Sequence, residues 1–173
     1  MEDSEATMDD IENRMSHSSV SNVALGSAIF AVLAAITALL SNYHSNEAVI
    51  DQIQASDQWG YYQAKGIKGN MVINKVDLLT SLGKIASQND LDKIGQYKKE
   101  QDEISENARE KERSSNLHVR HHMVLARAVI LFQVAIAISA ISILTRRNKF
   151  WHASLLAASG GLFFLVQGVF LKG

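Results

Sequence analysis

Four histidines could do chemistry in this chain, because imidazole binds transition metals and changes its charge near neutral pH. They are His44, His118, His121 and His122. On a helix, His118 and His122 share one face, and this spacing can hold a zinc or copper ion with His44 as a third ligand. The cluster could instead respond to protons at mildly acidic pH. A third interpretation is that the rings anchor helix ends, in which case no cofactor is needed.

Three long apolar segments determine where these histidines lie. They cover residues 20–40, 123–145 and 151–171, each 21 to 23 residues long and free of acidic side chains. At 1.5 Å rise per residue, roughly 20 helical residues cross the hydrocarbon core of a bilayer. We therefore expect an all-α integral membrane protein with three transmembrane helices, in which the histidines flank the first two.

Charge is distributed unevenly along the chain. Residues 1–19 carry six acids against Arg14 alone, whereas from Arg113 onward there are seven basic residues and no acid. We expect residues 1–19 to form an acidic mobile tail, or a short amphipathic helix on the membrane surface, that precedes a retained membrane anchor. No basic face for nucleic acid is evident, and the absence of cysteine excludes disulfides and thiolate metal sites.

The orientation in the membrane is indicated by three basic residues in the loop expected over residues 146–150. They are Arg146, Arg147 and Lys149. Short basic loops remain in the cytoplasm. This predicts a multi-pass protein of the bacterial inner membrane with a cytoplasmic N-terminus, and with residues 41–122 and the C-terminus on the outer side.

The polar region, residues 41–122, has apolar residues at three- and four-residue spacings, which favours amphipathic helices over strands. Residues 87–90 are the best turn candidate, with Asn89 or Asp90 accepting N–H bonds at the start of the next helix. The limb before this turn is the longer one and contains three glycines, each of which destabilises a helix interior by roughly 1 kcal/mol. They are Gly60, Gly66 and Gly69. We expect a break within residues 60–70, and hence a bent hairpin or a three-helix extramembrane domain.

Small and polar residues inside the apolar segments are expected to mediate helix packing. Two stripes of small side chains at four-residue spacing let helices approach closely, either within one chain or between two copies. Arg127 and Gln167 lie at similar heights on neighbouring antiparallel helices, which predicts a hydrogen bond between them. The expected packing residues are Ser27, Ala31, Ala35, Arg127, Gln133, Ala153, Ala157, Gly161 and Gln167.

Two motifs resemble those of a known prokaryotic family. Residues 55–65 read ASDQWGYYQAK, and residues 144–151 read LTRRNKFW. Together they resemble the domain-of-unknown-function family 4337, and the resemblance extends from Val20 to the end. It implies an N-terminal span, a charged helical region and two closing spans, with no agreed activity. The resemblance directs attention to a recognition surface at Ser56, Asp57, Gln58, Trp59, Tyr61, Tyr62, Gln63 and Lys65. The aromatic group Trp59, Tyr61 and Tyr62 could bind a ligand, but such a group more often packs a bent helix against its neighbour.

The expected function is binding rather than catalysis, because no motif in the sequence combines a nucleophile with an adjacent base and an orienting partner. We expect a non-enzymatic accessory or scaffold subunit that presents its helical domain for protein contacts. Its partners would be the lipid bilayer and other membrane proteins or a second copy, and not nucleic acid. The alternative is a metal- or proton-responsive membrane protein that uses the histidine cluster, with zinc or copper as the metal.

Overall fold

A computed structural model describes the backbone of residues 2–170 and the side chains of residues 20–170. The chain forms three helices, α1 (Glu2–Ser81), α2 (Gln88–Thr145) and α3 (Asn148–Phe170). Within residues 2–170 there is no strand, so the all-α prediction is confirmed. Each helix contains a stretch long and apolar enough to cross a membrane. The predicted acidic tail, residues 1–19, lies outside the described side chains.

The chain divides into two compact units. The first, here the three-helix unit, comprises residues 1–44 and 120–173. The second, here the hairpin unit, comprises residues 45–119 and contains the end of α1 and the beginning of α2. Both long helices therefore contribute to each unit.

The core of the three-helix unit consists of two small clusters. One contains Phe30, Ala135 and Ala158, and the other contains Ala34, Ala128 and Phe132. Phe30 also stacks on Trp151, with ring centroids 6.2 Å apart. Alanines at the contacts let the helix backbones approach closely.

Hydroxyl side chains fill the rest of this core without leaving unsatisfied groups. Thr37, Ser139 and Ser154 are completely buried. Each donates to a carbonyl of its own helix, as in the 2.6 Å bond from Thr37 to Leu33 and the 2.7 Å bond from Ser139 to Ala135. Such bonds satisfy the hydroxyl locally, so a small polar side chain can be buried without a partner on another helix.

A short connection joins the two limbs of the hairpin unit, and hydrogen bonds define both the end of α1 and the beginning of α2. α1 ends in a Schellman motif: Gly83 has φ +69°, and the N–H groups of Gly83 and Lys84 bind the carbonyls of Thr80 and Leu79 at 3.0 and 2.9 Å. α2 then begins with Ser87 as N-cap, whose Oγ accepts from the Asp90 N–H at 3.2 Å. The cap is therefore Ser87, and not Asn89 or Asp90 as the sequence predicted.

The break expected within residues 60–70 is wrong, because α1 runs unbroken through all three glycines. The hairpin unit is consequently a pair of helices and not a three-helix domain. Gly66 and Gly69 face α2: a β-carbon would lie 2.7 Å from Gln101 at the first and 3.5 Å from Tyr97 at the second. Only Gly66 is needed for close packing, because a side chain there must displace the Gln101 amide, whereas a β-carbon at Gly69 would make an ordinary contact. The packing of α1 on α2 outweighs a helix penalty of roughly 1 kcal/mol for each glycine.

The connection between α2 and α3 is also shorter than expected. It consists of Arg146 and Arg147 alone, and Lys149 lies in the first turn of α3. Arg146 takes a left-handed conformation, with φ 51°. This residue turns the chain so that α3 returns beside α2.

Gly60 and Gly66 have different surroundings, so their replacement by alanine should have opposite effects on stability. Gly60→Ala places its β-carbon in open space, so it should raise the free energy of unfolding by about 0.5–1 kcal/mol. Gly66→Ala must displace Gln101 and should give no gain or a loss. Thermal unfolding of the purified full-length variants, followed by circular dichroism, measures both. Equal gains from both substitutions would contradict the packing role of Gly66.

Candidate interaction surface

The motif of residues 55–65 is divided between the two sides of α1. Trp59 turns inward, and its indole N–H donates to the Glu112 carboxylate at 2.8 Å. Tyr62 packs edge-on against Trp59, with centroids 5.5 Å apart, and its carbonyl accepts from Gln101 at 3.3 Å. The Trp59 side chain and the Tyr62 backbone carbonyl therefore connect the two limbs of the hairpin, and the Tyr62 ring packs against Trp59 within α1.

Lys65 makes the strongest polar contact between the limbs. Its ammonium group lies 2.5 Å from the Glu100 carboxylate, and it also lies over the rings of Tyr61 and Tyr97 at 5.2 and 5.6 Å. The hydrogen bond with Glu100 raises the pKa of Lys65, and the same bond lowers the pKa of Glu100. Lys65 is thus paired with Glu100 rather than with Asp57, which lies more than two helical turns before it.

The remaining motif residues face outward. Ser56, Asp57 and Gln63 are exposed, Tyr61 is half exposed, and Gln58 is partly buried. Two of these residues help to line an open pocket of about 310 Å³ on the hairpin unit. Its lining consists of Gln54, Asp57, Gln58, Asn107, Glu110 and Lys111. The expected recognition residues therefore do not form one continuous surface, since Trp59, Tyr62 and Lys65 contact the other limb of the hairpin.

A second polar contact lies nearer the start of the hairpin unit. Asp51 is buried and lies 3.3 Å from the Lys111 ammonium group. A hydrogen bond from Ser114 lowers the pKa of Asp51 most, and Lys111 and His118 add to this effect. Ser115 is buried beside it and donates to the Ala48 carbonyl at 2.8 Å. These bonds fix the register of the two limbs.

An apolar surface of the hairpin unit lies on the outer face of α1. Its aliphatic side chains are between 46% and 67% exposed. They recur at three- and four-residue steps in one heptad register, which also contains Asp57, Gly60, Ala64 and Asn74. We name this surface the outer seam, and its large residues are Ile50, Ile53, Ile67, Met71 and Leu78.

The outer seam is distinct from the face of α1 that packs on α2. Ala48, Ala55 and Gly69 are buried and lie two residues before Ile50, Asp57 and Met71. A two-residue offset is a rotation of 200°, so the two faces point in opposite directions. The sequence predicted amphipathic helices in this region without assigning the apolar residues to particular faces. The signal that could have distinguished the two faces of α1 is the presence of two heptad registers on this helix.

The histidines are distributed over both units. His44 and His121, both in the three-helix unit, stack in parallel with ring centroids 4.5 Å apart. His121 Nδ1 lies 2.8 Å from the Gly168 carbonyl and His122 Nδ1 lies 3.0 Å from the Ser41 carbonyl, so both nitrogens donate. His118 belongs to the hairpin unit, on the same side of α2 as Ser114 and Lys111. Among the described side chains, no group of three His, Cys, Asp or Glu residues is placed to hold a metal ion.

The expected packing residues of the apolar segments take different positions. Gly161 is buried, and a β-carbon there would lie 3.0 Å from the Phe132 ring. Ser27 and Ala157 are partly buried, whereas Ala31, Ala35 and Ala153 are exposed. The close approach of α2 and α3 involves Gly161 and also Gly168, where a β-carbon would lie 2.6 Å from Leu125.

The three long polar side chains of these segments all face outward. Arg127, Gln133 and Gln167 are exposed. The predicted bond between Arg127 and Gln167 is not formed among the described residues, because each side chain points away from the neighbouring helix. From the sequence, Gln133 is expected to bind a backbone carbonyl or a serine such as Ser159, but Ser159 donates instead to the Leu156 carbonyl at 2.8 Å. Equal height on two helices was therefore not sufficient to predict contact.

The sequence model of one protein family, a domain of unknown function (DUF4337), matches residues 19–171. The chain belongs to this family. The resemblance seen in the sequence is thereby confirmed, and the match covers all three apolar segments of this DUF4337 protein. No curated protein and no solved structure matches the chain.

The hairpin unit should lose stability in acid. Hydrogen bonds from Lys75, at 2.8 Å, and from Ser87 lower the pKa of Asp90 from its ordinary value of 3.8, and Asp51 and Glu100 are shifted in the same direction. A lowered folded-state pKa stabilises the fold above the unfolded pKa, and this contribution is lost as the pH falls through the folded value. The melting temperature should therefore decrease below about pH 4.

Asp90→Asn tests the origin of this effect. At neutral pH the variant should melt at a lower temperature than the wild type, and its melting temperature should change less between about pH 7 and about pH 3. Asp102→Asn is the control, because Asp102 is exposed and is not among the groups that lower the pKa of Asp90. An unchanged acid dependence in Asp90→Asn would show that the Lys75 contact does not contribute.

Proposed function

We propose that this protein is a membrane-anchored, non-enzymatic accessory subunit whose hairpin unit binds an amphipathic helix of another membrane protein. The observation that supports it best is the outer seam. Five large aliphatic side chains at heptad spacing form a strip on which a second helix can pack. Two polar groups of the motif, the Trp59 indole and the Lys65 ammonium group, are engaged in holding the hairpin, which favours a binding role over catalysis.

The anchor is the three-helix unit. Its outer surface carries large aliphatic and aromatic side chains that are between 60% and 77% exposed, while serine, threonine and glycine lie inside. The exposed examples are Leu25, Val32, Leu39, Leu156 and Phe163. A surface of this kind is stable in contact with hydrocarbon and unfavourable in water. Three spans are long enough to cross the bilayer.

The positive-inside rule orients this anchor. Arg146 and Arg147 form the short connection between α2 and α3, so we assign that connection to the cytoplasm. The N-terminus is then cytoplasmic, and the hairpin unit lies on the outer side of the bacterial inner membrane. Its partner would be another protein of the same membrane.

Substitutions in the outer seam test the partner site. Ile67→Glu combined with Met71→Glu places two charges on the seam, away from α2. A helix docked there should be released, so the yield of any protein that co-purifies with the wild type in mild detergent in a defined ratio should fall at least about tenfold. The control is Lys98→Glu combined with Arg109→Glu, because both residues are exposed on α2. Each of these substitutions replaces a positive charge by a negative one, so the control changes the net charge by more than the seam variant does.

The same purification distinguishes the alternative function. Partners in a defined ratio that are lost in the seam variant, but kept in the control, support the proposal. A monodisperse, partner-free protein with stoichiometric zinc or copper would instead support the metal-responsive function. Equal retention of partners in both variants would place the partner site elsewhere.

The absence of cysteine allows a direct test of orientation. Single cysteines can be introduced at Lys98, in the hairpin unit, and at Lys149, beside the short connection. A membrane-impermeant maleimide added to spheroplasts should label the first and leave the second unlabelled until the membrane is opened. The reverse pattern would invert the topology. Recovery of both variants in the soluble fraction would overturn the membrane assignment.

A further inference from the structure

We infer that α2 pairs with α2 of a second copy of this chain inside the bilayer, and that Gln133 forms a hydrogen-bonded pair across this interface. The inference rests on the membrane placement proposed above, but it does not depend on the outer seam of the hairpin unit. It concerns the face of α2 that points away from α1 and α3.

Gln133 lies close to the middle of the apolar segment of α2. It is ten residues from Met123 and twelve from Thr145, which places it roughly 15 and 18 Å from the ends of the apolar segment. Its side chain is exposed, and no hydrogen bond engages its amide among the residues that the structure describes. In hydrocarbon such an amide loses the water that would satisfy its two donors and its acceptor.

The other outward-facing polar residues can avoid this cost. Arg127 lies four residues from Met123, and Gln167 lies three residues before the end of α3. Side chains so near a helix end can extend to the headgroup layer. Gln133 is too far from either surface to do so, and it therefore requires a partner at its own depth.

The residues around Gln133 permit close approach of a second helix. They follow three- and four-residue steps, and all but the partly buried Ala126 are exposed. Alanine occupies the two seam positions that follow Gln133, so a partner backbone can come near the amide. We name this face the amide seam, and it consists of Met123, Ala126, Ile130, Gln133, Ala137, Ala140 and Leu144.

The amide seam does not compete with the fold of the three-helix unit. Leu125, Ala128, Phe132 and Ala135 are buried against α1 and α3. Each lies two residues from a member of the amide seam, which is a rotation of 200°. The helix can therefore pack inside its own chain and against another chain at the same time.

A second copy is the partner that these features favour. Copies inserted with the same topology present parallel α2 helices at equal depth. A twofold axis between them brings Gln133 opposite Gln133 of the other copy. Because an amide both donates and accepts, identical side chains satisfy each other and no complementary charge is needed.

Cysteine cross-linking in native membranes tests the pairing, since the wild-type chain contains no cysteine. Ala137→Cys should give a disulfide-linked dimer on mild oxidation. Leu156→Cys, on the exposed face of α3, is the control and should remain mostly monomeric. Equal dimer from both positions would indicate random collision and overturn the inference, as would the absence of dimer from Ala137→Cys.

Substitution of Gln133 tests the role of the amide. In the Ala137→Cys chain, Gln133→Leu should weaken association by about threefold to thirtyfold, as expected for an interhelical hydrogen bond in a membrane. Gln133→Asn should retain most of it, and Gln167→Leu should leave it unchanged. An unaltered dimer fraction in Gln133→Leu overturns the role of the amide.

Two further results separate this inference from the proposed function. Protein that stays in the membrane pellet after alkaline extraction but does not cross-link through α2 overturns the dimer and leaves the anchor intact. Protein recovered in the soluble fraction overturns both. A cross-link from Ala137→Cys to a different protein would replace the second copy by that partner and so contradict the inference.

Discussion

Close helix packing in the three-helix unit depends on small side chains whose hydrogen bonds are made within their own helix. Thr37, Ser139 and Ser154 are completely buried, and each donates to a backbone carbonyl one turn earlier. Glycine also allows close packing where a large side chain of the neighbouring helix lies against the backbone, as at Gly161 beside Phe132. The large aliphatic residues are consequently left for the outside. This distribution is favourable in a bilayer, where packing and not the hydrophobic effect holds helices together.

The hairpin unit is held together differently. Its two limbs are joined by polar contacts at three levels, namely Lys75 with Asp90, Lys65 with Glu100, and Lys111 with Asp51. The rings of Tyr61 and Tyr97 lie beside Lys65 in the pair that it forms with Glu100. Because these contacts and the small residues of α1 occupy the interface, the large aliphatic residues of α1 again lie outside. The outer seam is therefore a consequence of how the limbs pair, and it provides the surface on which the proposed function depends.

Local composition was sufficient to predict the helical class and the three apolar segments. Hydropathy over about 20 residues depends on neither partner nor register, so it can be read directly from a sequence. The role of an individual residue in the fold was harder to predict, as the glycines of α1 demonstrate. Gly60, Gly66 and Gly69 indicated a break, yet α1 ends at Ser81, because among the described glycines it is Gly83 that takes the left-handed conformation. The intrinsic cost of glycine is small beside the packing of two long helices.

The amino-acid sequence by itself determined the solvent that each segment prefers, the family, and the residues available for contact. Tertiary structure decided which face of each helix meets its neighbour. Arg127 and Gln167 have the right heights and face apart, and residues 55–65 divide between the inside and the outside of one helix. The physical reason is that rotation about a helix axis is set by side chains on the partner helix, distant in sequence. A rotation of 200° separates a buried residue from one that is free to bind another molecule.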